Sequence, residues 1–285
     1  MAIKRVGIVG SGIMGSGIAE VAAKSGIEVV LRSRQQSTAD AMIAGLEKSL
    51  AKQVEKGKLS EDDRNSTLQR VRAVSDLNEL SECDLVIESI VEDLAAKKQL
   101  FNELDRICPD HAILATNTST LAVVEMAMET SRPDKVCGIH FFNPAPMMAL
   151  VEIIRSITSS DETIAAARGF AETCGKSPVE VADRAGFIVN ALLFPYLNNA
   201  VRMLESGVAS RDDIDAAMKN GCGFPMGPFA LLDLVGLDTS LAILEALYAE
   251  FKDPNYSPAP ALRRMVTANR LGRKSGEGFY EYKPK

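Results

Sequence analysis

The stretch Arg5-Val6-Gly7-Ile8-Val9-Gly10-Ser11-Gly12-Ile13-Met14-Gly15 decides the fold. An apolar strand runs directly into Gly-x-Gly-x-x-Gly, and a helix-like pattern follows as far as Ser25. Each glycine has a separate physical task. Gly10 permits the tight turn out of the strand, and Gly12 leaves the backbone bare for a pyrophosphate. Gly15 lets the helix lie close to the sheet, with its first amides facing the phosphates. A second strand-like run, Glu28-Val29-Val30-Leu31, arrives at the spacing of a βαβ unit. The motif alone is weak, but in this strand–turn–helix context it points to a dinucleotide-binding fold in which 10–15, including Ile13 and Met14, surround the phosphates.

The position after the second strand qualifies that reading. Dinucleotide folds that take NAD usually place Asp or Glu about 20 residues beyond the glycine loop, on the adenosine ribose. This chain has Leu31-Arg32-Ser33-Arg34 there, with no carboxylate. A carboxylate would repel a 2′-phosphate, whereas two guanidiniums and a hydroxyl match one. Arg32, Ser33 and Arg34 therefore tilt the expectation from NAD toward NADP, the alternative being that both arginines are solvated loop residues.

Bulk properties narrow the class. The chain has 285 residues and a net charge of −6. That length is enough for two domains with sizeable cores. The acidic balance disfavours nucleic acid as a partner. Basic residues gather late, at Arg263, Arg264, Arg270, Arg273, Lys274, Lys283 and Lys285, either to meet an anion or as a solvated tail. The five cysteines are scattered, with no Cys-x-x-Cys pair and no histidine cluster, which argues against a zinc site or a disulfide framework. No signal peptide and no membrane-length apolar run is legible, so a cytoplasmic setting is expected.

Strand-like runs recur at 6–9, 28–31, 85–87, 112–115, 136–142 and 149–154, with helical patterns between the early ones. In 39–56 the residues Met42, Leu46, Leu50 and Val54 make one apolar stripe; Leu100, Phe101 and Leu104 do so in 95–107. This alternation predicts a doubly wound, mainly parallel sheet with helices on both faces. Beyond about 183 nearly every pattern has helical period. Helices are expected at 188–205, 211–220, 228–235 and 238–251, the first with Leu192, Leu193, Tyr196, Ala200 and Leu204 on one side and bent or delayed by Pro195. The reading is an α/β dinucleotide-binding domain over 1–183 and an all-α domain over 184–285. The apolar first helix of the second domain suggests burial against a second subunit.

Only two histidines are available as bases near neutral pH. His111 lies in the polar turn Cys108-Pro109-Asp110-His111, which reads as surface loop. His140 lies in Gly138-Ile139-His140-Phe141-Phe142-Asn143-Pro144-Ala145-Pro146, near the end of an apolar strand where open α/β sheets bind ligands. It is either a base or a satisfied core histidine. Glu152 is the single charge in Ala149-Leu150-Val151-Glu152-Ile153-Ile154, so it should face solvent or be paired. A hairpin across the Pro-x-Pro turn would set it beside His140, where it would fix the imidazole tautomer and stabilise the imidazolium.

Here the chain resembles the L-3-hydroxyacyl-CoA dehydrogenase family. The matching segments are Gly10-x-Gly12-x-x-Gly15, Asn117-Thr118-Ser119, His140-Phe141-Phe142-Asn143-Pro144, Glu152, Gly186-Phe187-Ile188-Val189-Asn190, Pro225-Met226-Gly227-Pro228 and residues 272–280. They cover nearly the whole chain in order. The resemblance implies His140 as the base for the 3-hydroxyl proton, Glu152 as its orienting partner, and Ser119 and Asn190 as polar contacts to the reacting oxygen. It implies Glu92 and Lys97 near the nicotinamide ribose, Asn117 and Asn143 on the cofactor side, and Lys274 as a cofactor-binding lysine. Ser49 and Lys56 would hold the nucleotide of coenzyme A. The family commonly has Asp where this chain has Ser33, so its NAD preference is in question here. The implied protein is a cytoplasmic homodimer, paired through the C-terminal helices and acting on a short acyl-CoA. Two rivals stand beside it: a dehydrogenase of a non-CoA hydroxy acid, and a dinucleotide sensor without turnover. The His140–Glu152 pair argues against the second.

Overall fold

The computed structural model describes residues 3–282. It divides into two compact units, one reaching Asp183 and the other starting at Arg184. In the first unit β1 (Arg5–Val9) leads through the glycine loop into α1 (Ile13–Lys24) and β2 (Glu28–Arg32). Next come α2 (Gln36–Glu55), α3 (Glu61–Gln69) and β3 (Val71–Val74). The second half runs β4 (Leu85–Glu88), α4 (Leu94–Ile107), β5 (Ile113–Thr116), α5 (Val123–Ala127) and β6 (Val136–Phe141). It closes with β7 (Leu150–Arg155), α6 (Asp161–Thr173) and β8 (Ser177–Ala182).

Among the described residues the sheet has eight strands, in the order β3-β2-β1-β4-β5-β6-β7-β8. Every pairing is parallel except β6 with β7. The order reverses between β1 and β4, which opens a crevice beyond their carboxyl ends. Central strands are buried on both faces, so they read as unbroken apolar runs such as Leu85-Val86-Ile87. On α2, Met42, Leu46 and Leu50 are buried as their spacing predicts, and on α4 so are Leu100, Phe101 and Leu104.

The antiparallel β6–β7 pair is the fold's contribution to the site. A parallel connection would have needed a crossover helix between the strands; here a short loop through Pro144 and Pro146 returns the chain at once. The register sets His140 directly opposite Glu152.

The second unit is helical: α7 (Val189–Glu205), α8 (Arg211–Cys222), α9 (Pro228–Val235), α10 (Leu237–Phe251) and α11 (Pro260–Thr267). Its core holds Phe194, Leu197, Val201, Phe229, Leu232, Leu244, Leu247 and Leu262. Of the expected stripe on α7, Ala200 is buried and Leu193, Tyr196 and Leu204 pack against this core. Asn190, Phe194, Leu197, Asn198, Ala200 and Val201 are buried, while Leu192 is 72% exposed. Phe194, Leu197 and Val201 add to the inward face, and Leu192 is the stripe residue that turns away from the core. The helix also continues unbroken through Pro195.

Two buried aspartates tie this unit together. Asp215 accepts from the Phe229 and Ala230 amides at 2.8 and 3.1 Å and from the Tyr280 hydroxyl at 2.9 Å. Asp233 accepts from the Phe279 and Tyr280 amides at 2.9 and 2.8 Å and from the Tyr282 hydroxyl at 3.0 Å. Burial and the neighbouring Asp215 push the Tyr280 phenol well above its usual range, so it stays a donor. The late basic residues are partly paired: Arg263 with Glu245, Arg270 with Glu277 and Lys274 with Asp238. Lys283 and Lys285 lie outside the described residues.

Candidate active site

The glycine loop joins the carboxyl end of β1 to α1. Gly10 has φ +138°, and a Cβ there would sit 2.2 Å from the Ser89 carbonyl oxygen, so no side chain is tolerated. A Cβ on Gly15 would meet the Gly10 carbonyl oxygen at 2.2 Å, which fixes how closely α1 lies on β1. A Cβ on Gly12 would meet nothing, so the backbone there is open. No acidic residue occupies the first turn of α1, leaving its amides and dipole for an anion. The adjoining cleft has a volume of about 640 Å³, with Gly10, Gly12, Arg32, Ser33, Arg34 and Ser89 among its lining residues. Volume, bare backbone and basic rim fit a dinucleotide.

At the rim, Arg32 donates from Nε to the Ser75 carbonyl at 3.2 Å. Burial lowers its pKa, and the nearby positive charge of Arg34 lowers it further. Ser33 is buried at 3% exposure, and Arg34 is exposed. Met14 packs its side chain against the core, so it can offer a ligand only its backbone; Ile13 is 77% exposed.

His140 and Glu152 form a buried pair. Glu152 Oε2 lies 2.8 Å from His140 Nδ1, with the two side chains 0% and 5% exposed. A carboxylate accepts, so Nδ1 carries the proton and the lone pair is on Nε2. Ser119 Oγ stands 3.0 Å from that Nε2. The Phe142 ring packs on the imidazole with centroids 4.6 Å apart. His111 is 53% exposed and faces Asp84 at 3.3 Å, on the surface turn expected for it.

A second network holds the loop that carries Ser119. Glu92 Oε1 accepts from the Ser119 and Thr120 amides at 2.9 and 3.2 Å and from Thr118 Oγ1 at 2.5 Å. Burial alone would raise the Glu92 carboxyl, but the Lys97 charge and these donors carry it below its usual range. Lys97 is 1% exposed and donates to both oxygens of the fully buried Glu88, at 2.7 and 2.8 Å, and to Glu92 at 3.2 Å. Its ammonium is thus committed within the protein. Thr116 Oγ1 donates to Glu88 at 2.7 Å and accepts from the Thr118 amide at 3.2 Å. Asn117 accepts from the Phe141 amide at 2.8 Å, tying the end of β5 to β6.

Sequence reading passed over Glu88, Thr116 and Thr118. The signal for Glu88 was present: it is the one charge closing an apolar central strand, the argument that selected Glu152.

A neighbouring cleft of about 470 Å³ lies between α1 and α2, lined by Ile13, Glu20, Ser49 and Asn143 among others. Glu20, 5% exposed, accepts from Ser49 Oγ at 2.9 Å and Gln53 Nε2 at 2.7 Å. Lys56 is exposed at the C-cap of α2. In the helical unit, Asn190 is buried near the start of α7, and Lys274 donates to Asp238 at 2.6 Å.

Comparison with known proteins bears directly on this arrangement. The 3-hydroxyacyl-CoA dehydrogenase NAD binding domain matches residues 5–184, and the 3-hydroxyacyl-CoA dehydrogenase C-terminal domain matches 186–282. The chain is 47% identical over 283 residues to the 3-hydroxybutyryl-CoA dehydrogenase of Mycobacterium tuberculosis, covering 99% of both chains. It is 46% identical over 285 residues to a probable 3-hydroxybutyryl-CoA dehydrogenase of Bacillus subtilis, covering 100% of this chain and 99% of that one. The crystal structure of (S)-3-hydroxybutyryl-CoA dehydrogenase from Ralstonia eutropha superposes with a TM-score of 0.97 at 43% identity, covering 99% of this chain and 100% of that one. The glycine loop, the buried histidine–glutamate pair and matches across both units have one common account: the chain belongs to the 3-hydroxyacyl-CoA dehydrogenase family of NAD(P)-dependent oxidoreductases.

Proposed function

We propose that the protein interconverts (3S)-3-hydroxybutyryl-CoA and acetoacetyl-CoA, with His140 as the base. The observation that carries this reading is the orientation of His140. Nδ1 is held by a fully buried carboxylate, and Ser119 Oγ lies 3.0 Å from Nε2. Ser119 marks the direction from which a substrate hydroxyl would approach that nitrogen.

Oxidation of the 3-hydroxyl removes one proton and one hydride. Gly10, Gly12, Gly15 and the 32–34 rim would hold the dinucleotide, which when bound would supply the hydride acceptor. His140 Nε2 takes the proton, and Glu152 stabilises the resulting imidazolium. In reduction His140 returns that proton to the new alkoxide. Ser119 and Asn190 contact the reacting oxygen, Asn117 and Asn143 shape the cofactor side, and Lys274 meets the cofactor from the C-terminal segment. Glu92 and Lys97 serve the nicotinamide ribose end through the Glu92 carboxylate, since Lys97 is spent on ion pairs. Ser49 and Lys56 hold the coenzyme A nucleotide along α2.

NADP is the favoured cofactor. Burial and then the nearby charge of Arg34 lower the Arg32 guanidinium, and a 2′-phosphate would relieve that repulsion. Leu192, Met203, Val208 and Phe224, between 43% and 72% exposed, support pairing of two helical units in a homodimer. A cytoplasmic setting is supported by four buried free thiols, which a reducing compartment preserves.

The deciding experiment is steady-state reduction of acetoacetyl-CoA with NADH and NADPH side by side. Turnover with a lower KM for NADPH is expected, and no turnover with either would overturn the reading. Ser33→Asp should move the cofactor ratio toward NADH by about tenfold, the weight of one charge-assisted contact; an unmoved ratio would make the arginines bystanders.

A further inference from the structure

The acid–base pair has a support that begins at a carboxylate with no direct contact to it. We infer that Glu88 is a positioning residue for His140, acting through the loop that carries Ser119. The inference rests on the proposed role of His140.

Glu88 ends β4 and is fully buried. It is the anchor of two separate routes to residues 118–120. Along the first, both its oxygens hold Lys97, and Lys97 holds Oε2 of Glu92. The other oxygen of Glu92 collects the amides of Ser119 and Thr120. Along the second, Glu88 accepts from Thr116 Oγ1 at 2.7 Å. That bond turns the hydroxyl hydrogen away from the loop and leaves its lone pair for the Thr118 amide at 3.2 Å. Glu88 also accepts from the Ile90 amide at 2.6 Å, which fixes its own rotamer against the turn after β4.

The two routes converge on one atom. Residues 118–120 follow directly on β5 and present Ser119 Oγ to Nε2 of His140. Glu92 is 38% exposed in its side chain and has rotamer freedom to lose, so it needs a fixed partner to serve as a clamp. Lys97 is that partner only while Glu88 holds it. Without Glu88, Lys97 retains a single, half-exposed counterion, and Thr116 is free to rotate its hydroxyl toward other acceptors. The hydroxyl of Ser119 then loses its fixed bearing on the imidazole, although His140, Glu152 and Ser119 are themselves unchanged.

The chain's two histidines make this directly readable, because 15N-labelled imidazoles give one spin system for His111 and one for His140. Ligand-free protein is used, so the result does not depend on which substrate is turned over. In Glu88→Gln the His140 Nε2 resonance should move toward its position in Ser119→Ala, with His111 unmoved. In the loaded enzyme kcat should fall about tenfold, as expected for a modest misplacement of reacting groups. Glu88→Gln in a Ser119→Ala background should add little further loss, since both act on one contact. A folded Glu88→Gln protein with an unmoved His140 resonance, or losses that multiply in the double variant, would overturn the inference. Should Glu88→Gln fail to fold, Thr116→Val removes the second route while keeping the Glu88–Lys97 pair. It should move the His140 resonance in the same direction by less, and an unmoved resonance there would equally overturn it. Absence of acetoacetyl-CoA turnover in the parent enzyme would defeat the proposed function and leave the imidazole result standing.

Discussion

At His140 the two ring nitrogens have different tasks, and each can be tested by one substitution. His140→Ala should cut kcat by at least about 100-fold, the usual worth of a general base. Glu152→Gln should lower kcat more than it raises KM, because it leaves the ring in place but withdraws the charge that stabilises the imidazolium. Equal kcat in either variant would remove that residue from the chemistry. Glu92 offers a test by pH. Its carboxyl is held below the usual 4.5, so its grip on the Ser119 and Thr120 amides is complete above that pH. The grip is lost only as pH falls through the lower folded value. The two amide proton shifts, followed by NMR, should therefore inflect below pH 4.5; an inflection above it would contradict the assigned network.

Among the elements, the β1–loop–α1 unit tolerates least. Gly15→Ala pushes a methyl against the Gly10 carbonyl oxygen, so α1 must lift from β1. Overpacking of this kind costs about 1–3 kcal/mol and misaims the amides that face an anion. A lowered Tm together with weaker dinucleotide binding by calorimetry is expected; unchanged binding would mean that the close approach is not needed. The same unit was the most legible part of the sequence, because glycine leaves its mark wherever a side chain cannot fit. The β6–β7 hairpin was legible for a related reason: a charge inside an apolar strand demands a partner. Strands β3 and β8 were not legible. β3 is four residues long, and β8 is an edge strand whose Pro178 and Glu180 break the apolar pattern. α6 escaped notice although Ser160 caps it and Asp161 and Glu162 fill its first turn. The contacts joining Glu88, Thr116, Thr118 and Glu92 were not legible, since parallel pairing of β4 with β5 brings them together and not spacing.

For the whole molecule, the thiols provide an independent measure of the packing. Cys83, Cys108, Cys137 and Cys174 are buried and Cys222 is exposed. Burial pushes Cys83, Cys137 and Cys174 up to about 12 and Cys108 to about 11, so none is a thiolate under mild conditions. Native protein should consume one equivalent of an aromatic disulfide reagent at about pH 8, and five once denatured. Fast reaction of a second thiol in native protein would show that a core described as closed is open.

The buried aspartates of the helical unit have a consequence for the order of events on the ribosome. Asp233 finds its partners 46 to 49 residues later in the chain, and Asp215 finds Tyr280 65 residues later. A chain ending near residue 270 would hold Asp233 without any of these three donors and Asp215 without its Tyr280 hydroxyl. The strands of the first unit are all translated by then and can close as a body of their own. Synthesis interrupted late should thus yield a molecule with a finished sheet and an unfinished helical half, the kind of product that quality-control proteases recognise and clear.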